Sequence, residues 1–153
     1  MNRIYFELYS RSNKVTVYSI RLEGCSVTKT DQFVDEYFDK GFCDDIRLIK
    51  RWLHNIKARG AQQGFFRAEN NVIAGPVTSS RLRIYGIRCS ESIIILDGGG
   101  EKKGRKTQDG EETWYAMKLM TAIDKKLIEK IREGLIHYSD DLMTLKGELF
   151  VDL

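Results

Sequence analysis

Apolar and polar positions alternate from the start of the chain. Residues 3–9 (RIYFELY) and 14–21 (KVTVYSIR) are rich in β-branched and aromatic side chains, and the SRSN between them is a turn signal. An N-terminal hairpin is therefore predicted. In its second strand Val15, Val17 and Ser19 share one face, while Thr16, Tyr18 and Ile20 share the other. Both faces are partly apolar, which points to a sheet covered at least partly on both sides.

The period then changes to that of a helix. Thr30 or Asp31 can cap a short helix whose apolar face is Phe33, Val34, Tyr37 and Phe38, and Gly41 is placed to end it. Asp44 or Asp45 then caps a second helix running to about Arg59, with Gly60 ending it. Ile46, Ile49, Leu53 and Ile56 fall at helical spacing, and Leu48 and Trp52 widen the stripe. Two helices joined so closely form a hairpin that lies across one sheet face. If Trp52 is buried there, its truncation to alanine costs about 3–5 kcal/mol. Residues 60–80 hold the only proline, Pro76, and read as an irregular connection anchored by Phe65 and Phe66. A third helix is expected from near Asp109, with Glu112 completing a capping box. Trp114, Met117, Met120, Ile123, Leu127 and Ile131 form its core stripe, and Gly134 ends it. The tail predicts one or two short strands around turns at Asp140-Asp141 and Lys146-Gly147.

Between these elements lies the stretch RLRIYGIRCSESIIILDGGGEKKGRK, residues 81–106. Strict alternation through its first strand would put an arginine among hydrophobes on either face. A β-bulge at Gly86 removes the conflict by resetting the pleat. Leu82, Ile84, Ile87 and Cys89 then face the core, and Arg81, Arg83, Tyr85 and Arg88 line one exposed face. The run from Ser92 to Leu96 predicts a buried strand, antiparallel to the first across a tight Ser90-Glu91 turn. Gly98, Gly99 and Gly100 release the chain into a loop carrying Lys102, Lys103, Arg105 and Lys106. The fold class is therefore α+β. It is an antiparallel twisted sheet with an N-terminal hairpin, a helical hairpin on one face and a long helix after the central strands, in one domain over residues 1–153.

Composition adds little until charge is followed along the chain. With 42% apolar and 31% charged residues this is an ordinary globule, and no apolar run approaches a membrane span. Cytoplasmic residence is the default expectation. Cys25, Cys43 and Cys89 are far apart and form no C-x-x-C, and His54 and His137 lie in separate segments, so neither a metal nor another cofactor is expected. The net charge of +3 conceals a strong segregation. Residues 1–45 carry 6 basic and 8 acidic groups, residues 46–107 carry 13 and 4, and residues 108–153 carry 6 and 10. Clustered cations in the central third suggest a polyanionic partner. Gly99 to Thr107 also reads G-x-x-x-x-G-R-K-T, close to a phosphate-binding P-loop. Its lysine is one place late, and no run of βαβ units surrounds it.

RLRIYGIR, then SIIILDGGGEKKGRKT, then an amphipathic helix resembles the RelE/HigB-like superfamily of bacterial toxin components. The similarity spans about Thr30 to Arg132. It implies a pair of helices followed by antiparallel strands, and an mRNA endonuclease acting at the ribosome, silenced by a cognate antitoxin protein. In that chemistry the RNA 2′-hydroxyl attacks the adjacent phosphate without a metal, and basic groups stabilise the charge that develops. The resemblance makes Arg83, Arg88, Lys102 and Lys103 phosphate-facing, with Tyr85 stacking a base or assisting proton transfer. Arg67, Arg81, Arg105 and Lys106 complete the candidate nucleic-acid-binding set. Related toxins often carry a tyrosine or histidine near the chain end, and neither Tyr115 nor His137 matches that place. A catalytically inactive module, binding nucleic acid or a partner protein through the same basic face, is the alternative.

Overall fold

In the computed structural model, residues 2–77, 80–103 and 110–153 are described. The N-terminal hairpin pairs β1 (Arg3–Arg11) with β2 (Thr16–Leu22), and Tyr9 is an extra residue in the ladder between Leu8 and Ser10. The helical hairpin follows as α1 (Lys29–Asp39) and α2 (Cys43–Arg59). The cap of α1 lies earlier than either expected residue, because the Thr28 hydroxyl accepts from the Asp31 amide. Gly41, at φ +90°, takes the left-handed conformation that ends the helix. No side chain caps α2: Asp45, an expected cap, is buried and bonded to Arg81 instead.

The connection predicted to be irregular contains a hairpin. A single 3-10 turn at Gln63–Phe65 leads into β3 (Arg67–Glu69) and β4 (Val72–Gly75), which turn at Asn70 with φ +57°. Next come β5 (Leu82–Ser90) and β6 (Ile93–Glu101), then the long helix α3 (Glu111–Arg132). The tail adds β7 (Ile136–Tyr138), β8 (Leu145–Gly147) and β9 (Phe150–Asp152). Lys146-Gly147 belongs to β8 and is not itself a turn. Seven strands form one sheet in the order β3-β4-β5-β6-β2-β1-β9, while β7 and β8 pair separately. Every pairing is antiparallel except that of β2 with β6.

Both sheet faces are buried, as the N-terminal strands suggested. Val15, Val17, Ile73, Ile84 and Leu96 pack beneath α1 and α2 with Phe33, Ile49 and Trp52. Tyr18, Ile20, Tyr85, Ile87 and Ile95 pack beneath α3 with Met120, Ile123 and Leu127. Trp52 is anchored by its indole N–H, which donates to the Phe65 carbonyl at 2.8 Å, and it meets the Phe66 ring edge to face.

Two expectations for the central stretch are corrected. No bulge occurs at Gly86: β5 pairs in unbroken register with β4 from Ile84 to Ile87. Gly86 is there for close approach, since a Cβ would collide with the Ile95 carbonyl of β6. Leu82 and Ile84 consequently face the helical hairpin, while Tyr85 and Ile87 face α3. The ladder with β6 does shift, at Asp97-Gly98 opposite Tyr85 and again at Cys89. The glycine run is also strand and not loop. A Cβ at Gly98 would crowd Phe33 of α1, one at Gly99 would strike the Arg83 carbonyl, and one at Gly100 would strike Glu112 of α3. Three elements converge on this part of β6, and only glycine lets them.

Candidate nucleic-acid interface

Alternation along β5 decides where each arginine goes. Arg83 shares the α3 face with Tyr85 and Ile87, and pairs with Gly100, whose missing side chain faces the first turn of α3. Arg83, expected to line an exposed face, is buried instead, at 5% exposure, because that face of β5 is covered by α3. On the same face, Arg67 stands beside Ala74, which stands beside Tyr85, so it lies two strands or about 10 Å across the sheet. Lys102 follows β6 directly, its amide donating to the Arg81 carbonyl at 2.7 Å. Its ammonium is held below the ordinary lysine range, chiefly by the Arg83 charge, then by burial and by Arg67. The repulsion establishes that these three cations share one local field. Among the described residues, none of the three has a carboxylate at ion-pairing distance. Lys103 is exposed and lies against Gly110, the residue preceding α3.

Arg81 and Arg88, predicted to line the same exposed wall, do not join this group. Arg88 points to the opposite face, where its Nε donates to the Ala61 carbonyl at 2.7 Å and secures the end of α2. Arg81 stands over the Phe42 ring at 4.3 Å, with its Nε 2.9 Å and its Nη2 2.8 Å from Asp45 Oδ2. Its amide donates to the other Asp45 oxygen at 2.7 Å. Burial pushes the Asp45 carboxyl up, but the Arg81 amide and guanidinium and the Ser80 hydroxyl outweigh it and hold the group below the usual range. Arg81 is thus a clamp between α2 and β5.

Tyr85 is 2% exposed and packed among the residues under α3. Its position is that of a core tyrosine. Arg105 and Lys106 lie outside the described residues, as does Asp109, the expected start of α3. The capping box expected of Glu112 with Asp109 therefore also falls outside the described residues; the Glu112 carboxylate accepts the Tyr37 hydroxyl, joining α3 to α1. Burial, followed by this bond, pushes the Tyr37 hydroxyl well above its usual value. His54 is exposed on α2 and His137 on β7, so both stand on elements separate from the cluster.

Two aromatics were misplaced from sequence: Phe38, expected on the apolar face of α1, is 54% exposed, and Trp114 is the other. Trp114, expected in the core, is 37% exposed in the first turn of α3, and the Lys118 ammonium stands 5.4 Å from its ring centroid. The buried positions Thr113, Ala116, Met120, Ile123 and Leu127 give the stripe that would have exposed the error. Trp114 sits one residue, about 100°, off it. An exposed indole of this kind offers a flat face on which a nucleic-acid base can stack.

Comparison with protein-family models, with curated proteins and with solved structures finds no match. Among the described residues, no helix is long and apolar enough to cross a membrane and no cluster of His, Cys, Asp and Glu could hold a metal ion.

Proposed function

We propose that this chain is the toxin component of a toxin–antitoxin pair, a metal-independent endoribonuclease acting on mRNA at the ribosome in the cytoplasm. The observation that carries the reading is Arg83: a buried guanidinium beside Lys102 and Arg67, with no acid among the described residues at ion-pairing distance from the three charges. Confining like charges without a counter-ion raises the energy of the free protein, and an RNA phosphate relieves it. The same donors suit the extra negative charge on a phosphorus under attack by the neighbouring 2′-hydroxyl. Lys103 extends the set, and Trp114 offers a stacking surface for the adjoining base. The helical pair preceding antiparallel strands is also the order that the RelE/HigB-like resemblance implies. A cognate antitoxin would silence the protein by covering the same cations.

The alternative is a module that binds RNA or an acidic partner without cutting. It is favoured by one observation, the burial of Tyr85, which removes the expected proton-transfer group from the surface. Induced expression followed by transcript mapping separates the two. The endonuclease arrests growth and leaves cleaved transcripts, and Arg83→Ala with Lys102→Ala abolishes both effects. Intact transcripts together with salt-sensitive RNA binding assign the inert module. Intact transcripts without RNA binding refute the endonuclease and the RNA-binding form of the module.

A further inference from the structure

A second site lies on the other side of the glycine run. A cavity of about 430 Å³ opens between α1, the Asp97–Gly99 part of β6 and the first turns of α3. Phe33, Ala116 and Leu119 supply apolar wall, and Asp97 is among the lining residues. Asp97 is 1% exposed, and its Oδ1 has no hydrogen-bond partner. Its main-chain role is already met, because its carbonyl accepts the Thr30 hydroxyl at 2.8 Å. The side chain adds nothing to that contact. A buried carboxylate oxygen without a donor is costly, and native proteins keep few of them.

The surroundings select the missing donor. Lys29 and Glu36 line the cavity from α1, and Glu112 and Tyr115 line it from α3. Three carboxylates therefore stand against one ammonium, which favours a cation over a neutral group. Apolar wall above a buried acid suits a charged head carried on a hydrocarbon stem. We propose that this cavity binds a small alkylammonium or alkylguanidinium, its head donating to Asp97 and its stem lying against Phe33, Ala116 and Leu119. The site is independent of the RNA-facing cluster, so each stands or falls alone.

Titrating agmatine into the full chain, followed by amide chemical shifts, tests the assignment. Saturable binding is expected at about pH 8, with shifts centred on Lys29–Glu36, Asp97–Gly99 and Glu112–Leu119. Burial raises the Asp97 carboxyl to about 6. Binding should therefore weaken about tenfold on lowering the pH to about 5, as Asp97 takes up a proton and loses its charge. Asp97→Asn should cause a similar loss at the higher pH, and Ala116→Met should block the cavity with Asp97 intact. Absence of saturation, or agmatine binding unaffected by both pH and Asp97→Asn, overturns the proposal, and the pH series on the unaltered chain decides it even if a variant misfolds.

Discussion

Arg81 and Arg88 on one side, and Arg83 with Arg67 and Lys102 on the other, come from neighbouring positions and differ in what answers their charge. Arg81 meets a buried carboxylate and an aromatic ring, and Arg88 meets a main-chain carbonyl. Each joins the helical hairpin to the sheet. Arg83 is as well buried as many core residues, yet its neighbours are two more cations. The difference separates the arginines whose charge is answered within the fold from those for which the described residues offer no acid. Charge counted along the sequence cannot separate them, because pairing is a property of the folded surface.

The largest effect expected from breaking this division is on Asp45. Asp45→Ala leaves the Arg81 amide and guanidinium without their acceptor and should destabilise the fold by about 3 kcal/mol in denaturant unfolding. The sign with pH follows from the lowered carboxyl. This contact is fully present above the ordinary Asp value of 3.8, and its contribution is lost as pH falls through the lower folded value.

Asp97 behaves in the opposite sense. Its folded value of about 6 against 3.8 means that folding takes up a proton between the two. Its contribution to stability should fall as pH rises from about 4 to about 6 and then level off, by about 3 kcal/mol. Asp97→Asn should remove that slope and make the chain more stable at neutral pH. A slope that survives the substitution would place its origin elsewhere.

Arg88→Ala should cost about 1.5–3 kcal/mol, the value of a hydrogen bond from a charged donor, and leave RNA affinity unchanged. Loss of RNA binding in that variant would erase the distinction between the two sets. Trp114→Ala has the smallest expected effect, weakening single-stranded RNA binding by about 1–3 kcal/mol with little change in stability.

Helices were legible in the sequence because their stripes are long and their ends are marked by Gly41, Gly60 and Gly134, each at positive φ. The first hairpin and the β5–β6 pair were legible from strand composition and short turns. The strands β3 and β4 were missed because they are three and four residues long, too short for a period to register. Facing was the deeper failure. On a sheet buried on both sides, apolar character does not tell which face a residue takes, so the alternation in RLRIYGIR looked like a conflict. The structure resolves it by burying Arg83 at the edge of the α3 layer, with no change of pleat in β5 before Cys89. The glycine run misled for a related reason: it looked like a loop because its requirement is close approach by α1, β5 and α3, all distant in sequence.

The central claim is most directly tested by the salt dependence of binding to a single-stranded RNA, compared between the unaltered chain and Arg83→Ala/Lys102→Ala. If these two cations hold phosphates, the slope of log affinity against log salt should become shallower by about 1.4, or about 0.7 for each charge removed. An unchanged slope, with the variant folded, would contradict the account.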